Sequence, residues 1–389
     1  MVTSAVNNRI RSVDILRGIV MVIMALDHTR DYFSNFHNNP TNLTVASMGM
    51  FLTRWITHYC APVFVFLAGT SAFLSLSKKN NKKEASLFLL KRGIWLLILE
   101  FTVVRFGWMF NMDYTQTVVQ VIWAIGWSMI FLSALIYLPF RGILAVGLVM
   151  IFGHNLLDMI QTEADTPSGA LWYFIHQSGF IQYNGNSSVF VIYPIIPWIG
   201  VMATGYCFGS ILQQDERTRN KQLYLLGGTT ILFFLIIRAT NLYGDPAPWE
   251  PQENFSRTVL SFINCEKYPP SLLYLLMTLG PAILIMPLLE KMSGAAGRFF
   301  IVFGRVPMFY YILHIYLVHA MALVWCVMQG LPADYFTDSN MIFAPKQGWG
   351  YELPVVYMVW ILAILLLYVP CRWFMYIKLN HKKWWLSYI

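Results

Sequence analysis

Asp27, His28, Arg30 and Asp31 lie close together in the first tenth of the chain. Helical spacing puts Asp27 and Asp31 one turn apart on one face, with Arg30 beside them. The apolar run that leads to them starts at Ile15 and ends at Leu26. The charges therefore arrive before a span of about 20 residues is complete. Ionisable groups at such depth are costly unless they face protein, water or a substrate. A histidine beside a carboxylate suits general-base work, because the carboxylate sets the tautomer and steadies the imidazolium. Asp27 or Asp31 with His28 or His58 makes such a pair.

Polar residues recur at similar depth further on. They are Arg54 and His58, Glu100 and Arg105, the group His154, Asn155 and Asp158, Arg238 and Asn241, and His314 and His319. Arg54 and His58 share a helix face. His314 and His319 are five apart and do not, so one of the two is expected to line a site. Structural ion pairs, such as Glu100 or an aspartate with Arg54 or Arg105, are the plain reading of any one residue. Six helices bringing ionisable groups to one level argue for a use. No HExxH or HxxxH spacing and no clear ligand set occurs, so no metal is expected. Nothing selects a bis-histidine haem. Phosphate-loop, dinucleotide and nucleophile-elbow motifs are lacking as well.

The elements that must position these residues are membrane spans. Of the 389 residues, 57% are hydrophobic and 12% charged, and the mean hydropathy is +0.54. A soluble chain carries roughly twice that charged fraction. Apolar runs of spanning length recur from end to end, which predicts an all-α polytopic membrane protein embedded in a lipid bilayer. Ten spans are expected, near 13–34, 50–76, 90–112, 117–138, 141–160, 188–212, 221–241, 270–290, 299–328 and 353–377. With the N-terminus in the cytoplasm, 18 of the 27 basic residues fall inside. They occupy Arg9 and Arg11, the loop 78–92, Arg141, Arg217 to Lys221, Lys291 and Arg298, and the tail from Arg372 to Lys383. The outside loops hold only Arg257, Lys267 and Lys346. That bias predicts both termini in the cytoplasm.

The outside loops 161–187, 241–269 and 329–352 are long and aromatic, which suggests packed lids. The net charge of +8 marks topology and does not suggest nucleic acid. The five cysteines show no disulfide or metal spacing. Asp14 and Arg17 interrupt the first apolar run, so no cleavable signal peptide is expected. Gly205 and Gly209 form a small-residue face that predicts close helix packing. Arg17, Arg92 and Arg305 fall on the inner side, where a basic face can hold a polyanion such as coenzyme A; topology and anionic-lipid contact is the plainer reading of the charge alone.

The opening RIRSVDILRGIVMVIMALDHTRDYF, then TRWITHYCAPVFVFLAGTSAFLS, YPIIPWIGVMATGY, KYPPSLLYLLMTLGP and FGRVPMFYYILHIYLVH, together resemble the heparan-α-glucosaminide N-acetyltransferase-like family of transmembrane acyltransferases. The phrases S-x-D-x-x-R-G (Ser12, Asp14, Arg17, Gly18) and F-x-F-x-x-G-x-S (Phe64, Phe66, Gly69, Ser71) carry most of the resemblance, which runs over about residues 9–325 of one transmembrane domain. It implies a bacterial inner-membrane enzyme that moves an acetyl group from cytoplasmic acetyl-CoA to an amine or hydroxyl of a sugar or envelope glycan. Under that reading His28, then His58, then His37 is the base, and Asp27 or Asp31 orients it. Arg54 or Arg105 stabilises the oxyanion, while Arg30, Glu100 and His314 face the acceptor. An acetyl-histidine intermediate is equally compatible. The rival reading is a small-solute transporter or channel using the same cluster as a relay. A third is a scaffold whose ionisable residues only lock helices.

Overall fold

The computed structural model describes residues 10–77, 81–341, 344–381 and 383–387. Arg9, Lys78, Lys79 and Lys382, which belong to the basic segments expected inside, lie outside the described residues. Helix α1 (Arg11–Phe33) opens with Asp14 in its first turn and closes with Arg30 in its last, each complementing the helix dipole. Beyond it the chain passes through α2 (Met48–Thr57) and α3 (Cys60–Leu76), which are two pieces of one expected span, separated at His58 and Tyr59. Ser47 caps α2 by accepting from the Met50 amide. α4 (Lys82–Leu99) runs through a π-helical stretch at Glu100–Val104 into α5 (Arg105–Met109). α6 (Val121–Leu135) and α7 (Phe140–Gly153) follow, then α8 (Pro167–Ile175), α9 (Ile195–Leu212), α10 (Glu216–Thr240) and α11 (Phe255–Ile263). α12 (Leu272–Leu284), α13 (Met286–Lys291), α14 (Gly294–Arg305), α15 (Pro307–Met328), α16 (Asp334–Thr337) and α17 (Leu353–Asn380) complete the order.

Among the described residues, seven helical segments are long and apolar enough to cross a membrane: Met48–Leu76, Phe140–Met159, Ile195–Leu212, Glu216–Thr240, Leu272–Lys291, Pro307–Met328 and Leu353–Asn380. The other three expected spans are also helical but weaker by this measure. α1 carries Arg11, Asp14, Arg17, Asp27, Arg30 and Asp31. The α4–α5 run starts with Lys82, Lys83 and Glu84, and α6 has only 15 residues. The expected span 299–328 is broken at Val306, because Pro307 lacks an amide hydrogen and starts a new helix.

The sequence reading also missed a small sheet. β1 (Gln116–Val119), β2 (Gly179–Asn184) and β3 (Ser187–Val191) pair in the order β1-β3-β2. β1 runs parallel to β3 and β2 antiparallel. Their valines and aromatics suit a pleated, half-buried surface. The segment 116–120 therefore does not belong to the helix expected at 117–138, the aromatic loop 161–187 holds α8 and β2 rather than irregular chain, and β3 takes the first residues of the span expected at 188–212.

Glycines set the two closest helix crossings near the site. A Cβ on Gly304 would stand 1.8 Å from the Asp14 carbonyl oxygen, and one on Gly18 1.9 Å from that of Phe300. α1 and α14 therefore touch backbone to backbone. Gly205 meets the Phe66 carbonyl in the same way at 2.2 Å, which seats α9 on α3. This is the close packing expected of that face. Gly304→Ala is expected to destabilise the protein by about 3 kcal/mol or more, since backbone atoms cannot swing aside. Thermal unfolding in detergent checks this; an unchanged midpoint would refute the crossing.

Candidate active site

The two phrases that carry the family resemblance meet in space. Arg17 donates from Nη2 to Ser71 Oγ (2.5 Å) and from Nη1 to the Gly304 carbonyl (3.2 Å), with Asp14 at 3.8 Å. Arg305 Nε reaches Asp14 Oδ2 at 3.3 Å. These contacts staple α1, α3 and α14 where the glycines let them approach.

A cavity of about 1390 Å³ runs beside α1 from this staple to the other end of the helix. At its basic end lie Arg17, Arg92, Arg219, Arg305 and Lys378. Phe64, Ala68, Leu96 and Met129 line its middle. At its histidine end lie Asp27, His28, Arg30, Asp31, Arg54, Trp108, Lys267, Tyr268 and Tyr311. His37, Phe336, Lys346 and Trp349 form the rim beyond them, with His37 exposed.

His28 does not pair with a carboxylate. Its Nδ1 lies 2.7 Å from His314 Nε2, with the two rings stacked at 4.9 Å. His314 Nδ1 lies 3.1 Å from the Tyr310 carbonyl oxygen. A carbonyl only accepts, so neutral His314 carries its proton on Nδ1 and presents the Nε2 lone pair. His28 then donates from Nδ1, and its Nε2 is left as a lone pair. Trp108 meets the His28 ring edge-on at 4.8 Å. The arrangement is a base whose tautomer is set by a second histidine, which is in turn set by the helix backbone.

Asp27 is the hub of a buried charge cluster instead of the orienter of His28. Arg54 Nη1 contacts its two oxygens at 2.6 and 2.8 Å, Thr57 Oγ1 donates at 2.8 Å, and Arg30 Nη2 lies at 2.8 Å. Lys267 Nζ stands 3.8 Å away. Arg30 also reaches Asp31 at 2.7 Å, leaving that carboxylate nearly half exposed. With Arg30, Arg54 and Lys267 against Asp27 and Asp31, the cluster holds one more cation than anion. Tyr268 lies against it: burial pushes its phenol up, but the Lys267 ammonium and the Arg54 guanidinium outweigh burial and hold it below the usual tyrosine value.

The remaining candidates sit elsewhere. His58 is buried off the main cavity, facing a side pocket of about 280 Å³ behind Arg54 and Lys267. Glu100 accepts from the Gln120 amide at 2.6 Å and so serves the start of α6. Arg105 donates to the Asn111 and Gln116 carbonyls and to Asn111 Oδ1 (2.7 Å) and Ser339 Oγ (3.1 Å), with Asp113 at 3.4 Å. Arg238 donates to the carbonyls of Phe262, Ala247, Ser261 and Asn264. His154 contacts the Pro270 carbonyl at 2.8 Å, and Asp158 contacts His176 at 2.9 Å. The apparent convergence of six helices thus divides. Helices α1, α2 and α15 build the site with Lys267, while Glu100, Arg105, Arg238 and His154 fasten backbone that would otherwise lack partners. The sequence reading gave Lys267 and Trp108 no part in the site. A lone lysine in an aromatic outer loop was the only available signal for the first, and the second had none.

The family model described as "Heparan-alpha-glucosaminide N-acetyltransferase, catalytic" matches residues 9–238. That is more than half of the chain, and it includes α1 to α3 and, at the cavity's basic end, Arg17, Arg92 and Arg219 but not Arg305 or Lys378. The match stops before Lys267 and His314. No curated protein matches the chain.

Proposed function

Because the chain belongs to the heparan-alpha-glucosaminide N-acetyltransferase catalytic family, a family of membrane acetyltransferases, we propose that it moves an acetyl group from acetyl-CoA to an amine or hydroxyl of a sugar or envelope glycan. In this reading the chain crosses the cytoplasmic membrane ten times with both termini inside. The donor enters from the cytoplasm at the basic end of the cavity, and the acceptor enters from the other side.

The observation that supports this best is the lone pair on His28 Nε2, set by His314 and Tyr310, in a cavity continuous with five basic side chains. Arg17, Arg92 and Arg305, with Arg219 and Lys378 beside them, face the phosphates of the donor. His28 Nε2 takes the proton of the acceptor as its nitrogen or oxygen adds to the thioester carbon. His314 steadies the resulting imidazolium by accepting from Nδ1. His28 then returns the proton to the departing thiolate as the carbon–sulfur bond breaks. The Asp27 cluster, with its surplus cation, stabilises negative charge that develops nearby.

The test is made on purified protein in detergent. Calorimetry with acetyl-CoA and with CoA is expected to give binding in the micromolar range, and a single-turnover assay to show loss of the acetyl group to an added amino sugar. No binding at millimolar acetyl-CoA would overturn the proposal. Solute flux in liposomes without any dependence on acetyl-CoA would favour a transporter instead.

A further inference from the structure

His58 stands at the end of α2 and is 2% exposed. Its carbonyl accepts from the Tyr274 hydroxyl at 2.8 Å, and its ring meets Tyr274 edge-on at 5.4 Å. The imidazole is thereby held in place, yet its Nδ1 is buried with no hydrogen-bond partner among the described residues. Buried polar atoms nearly always have a partner, and an exception calls for a reason. The ring faces the side pocket of about 280 Å³. That is the share of about nine water molecules in the liquid, room for one sugar ring.

Two loops wall the pocket: segment 39–42, which follows α1, and segment 264–268, which precedes α12. Asn264 Nδ2 donates to the Thr41 carbonyl at 3.1 Å, and Arg257 donates to the Leu43 carbonyl, so the loops are stitched together without a ligand. Asn42 Oδ1 accepts from the Thr44 amide and hydroxyl at 3.0 and 2.8 Å, which leaves its NH₂ as a donor. Asn264 has committed its NH₂ and offers Oδ1. Glu266 accepts the Lys267 and Tyr268 amides on Oε1 at 3.1 and 3.0 Å and keeps Oε2. Charge selects little here. Arg54 and Lys267 are paired with Asp27, and Glu266 brings a carboxylate of its own. Donors and acceptors side by side suit hydroxyl groups, which do both.

The pocket adjoins the histidine end of the main cavity. Arg54, Lys267 and Tyr268 line both spaces. Asn38 and Pro40 line the cavity, while Asn39, Thr41 and Asn42 line the pocket, so segment 38–42 is a lip common to the two. Asn39 and Asn42 are exposed, which opens the pocket outward at that lip. The wall 264–268 lies beyond the residues matched by the family model.

We propose that the side pocket is a subsite for a second sugar ring. The acceptor is an oligosaccharide: its reactive end enters the main cavity beside His28, and the neighbouring ring crosses the lip to lie against His58, Asn42 and Glu266. The placing of the reactive end rests on the acyl-transfer reading; sugar binding in the pocket does not.

The experiment measures kcat/KM of acetyl transfer to glucosamine and to its disaccharide, glucosaminyl-glucosamine, on the full chain in detergent. The native chain is expected to favour the disaccharide about tenfold, the worth of one or two net hydrogen bonds. In His58→Leu and in Asn42→Asp that ratio is expected to fall to about one. Damage to the fold would lower both rates and leave the ratio alone. Asn42→Asp keeps the oxygen that Thr44 uses and removes only the donor, so it decides if His58→Leu does not fold. Saturation-transfer NMR of the disaccharide without acetyl-CoA is run in parallel. Contact to both rings is expected in the native chain, and loss of contact to the second ring in the variants. A native ratio near one, or a ratio that Asn42→Asp does not move, overturns the subsite and leaves the acyl-transfer reading standing. Variant-sensitive contact to the second ring in a chain that transfers no acetyl group supports the subsite and removes the acyl-transfer reading instead.

Discussion

His28→Gln is expected to lower the single-turnover rate of acetyl transfer by about 10²–10⁴-fold, the usual contribution of a positioned base, and to leave acetyl-CoA affinity unchanged. Glutamine keeps most of the volume and still offers an N–H to His314 Nε2, so the wall against Trp108 stays filled. It has no lone pair of imidazole basicity to receive the acceptor's proton. In the proposed reading the donor's phosphates lie at the other end of the cavity, among its basic side chains, so the loss belongs in the rate and not in binding. A smaller loss is expected for His314→Gln, because His28 then keeps its lone pair and loses the partner that sets its tautomer. The experiment is quenched-flow transfer from labelled acetyl-CoA with parallel calorimetry. A His28→Gln rate within threefold of the native rate would remove this histidine from the chemistry. The next base to test would then be His37, which lines the rim, since His58 lies off the main cavity.

The second large effect is on stability. Asp27→Ala strips the shared partner from Arg54, Arg30 and Lys267, with Thr57 Oγ1 left to its bond with the Arg54 carbonyl. Arg30 retains Asp31, but among the described residues Arg54 keeps Tyr268 alone, by a 3.4 Å contact with its hydroxyl and a ring contact at 5.9 Å. Breaking a buried pair by removing one partner costs about 3–5 kcal/mol, because the other charge stays behind in low dielectric. The arginines here are nearly as buried as the aspartate, so solvent screening does little to reduce that figure. Thermal unfolding in detergent is expected to show the loss, and the double variant Asp27→Ala, Arg54→Met is expected to recover part of it. Additive single effects would mean that the two side chains do not share an energetic unit.

These two residues show what is legible in one dimension. Asp27 and His28 are adjacent, and their types announce a buried polar site on the first helix. Adjacency on a helix points two side chains in different directions, about 100° apart at 3.6 residues per turn. The carboxylate therefore turns toward α2 and Lys267, and the imidazole toward α15. The sequence reading paired them because it knew their separation along the chain and not the faces opposite. His314 was available as a candidate, but its partner lies 286 positions away, and no local pattern connects them. The sheet was missed for a related reason. Strands β1 and β3 are four and five residues long and are separated by α6, α7, α8 and β2, so their pairing leaves no periodic signature. The break at Val306 was signalled by Pro307 and was overlooked inside a long apolar run.

By itself the sequence determined that the chain is a helical membrane protein with ionisable residues inside several of its apolar helices, and it determined the family through two short phrases on α1 and α3. Those properties depend on composition, spacing and residue type, which the order of residues states directly. Only the tertiary structure decided which ionisable groups face a common cavity and which tie down backbone. The reason is that a buried polar group must find a partner wherever the fold supplies one. An arginine deep in a span reads the same whether it meets a cavity carboxylate, as Arg54 does, or four carbonyls and the loop carboxylate of Asp245, as Arg238 does. Distance in space, not identity in sequence, separates the two.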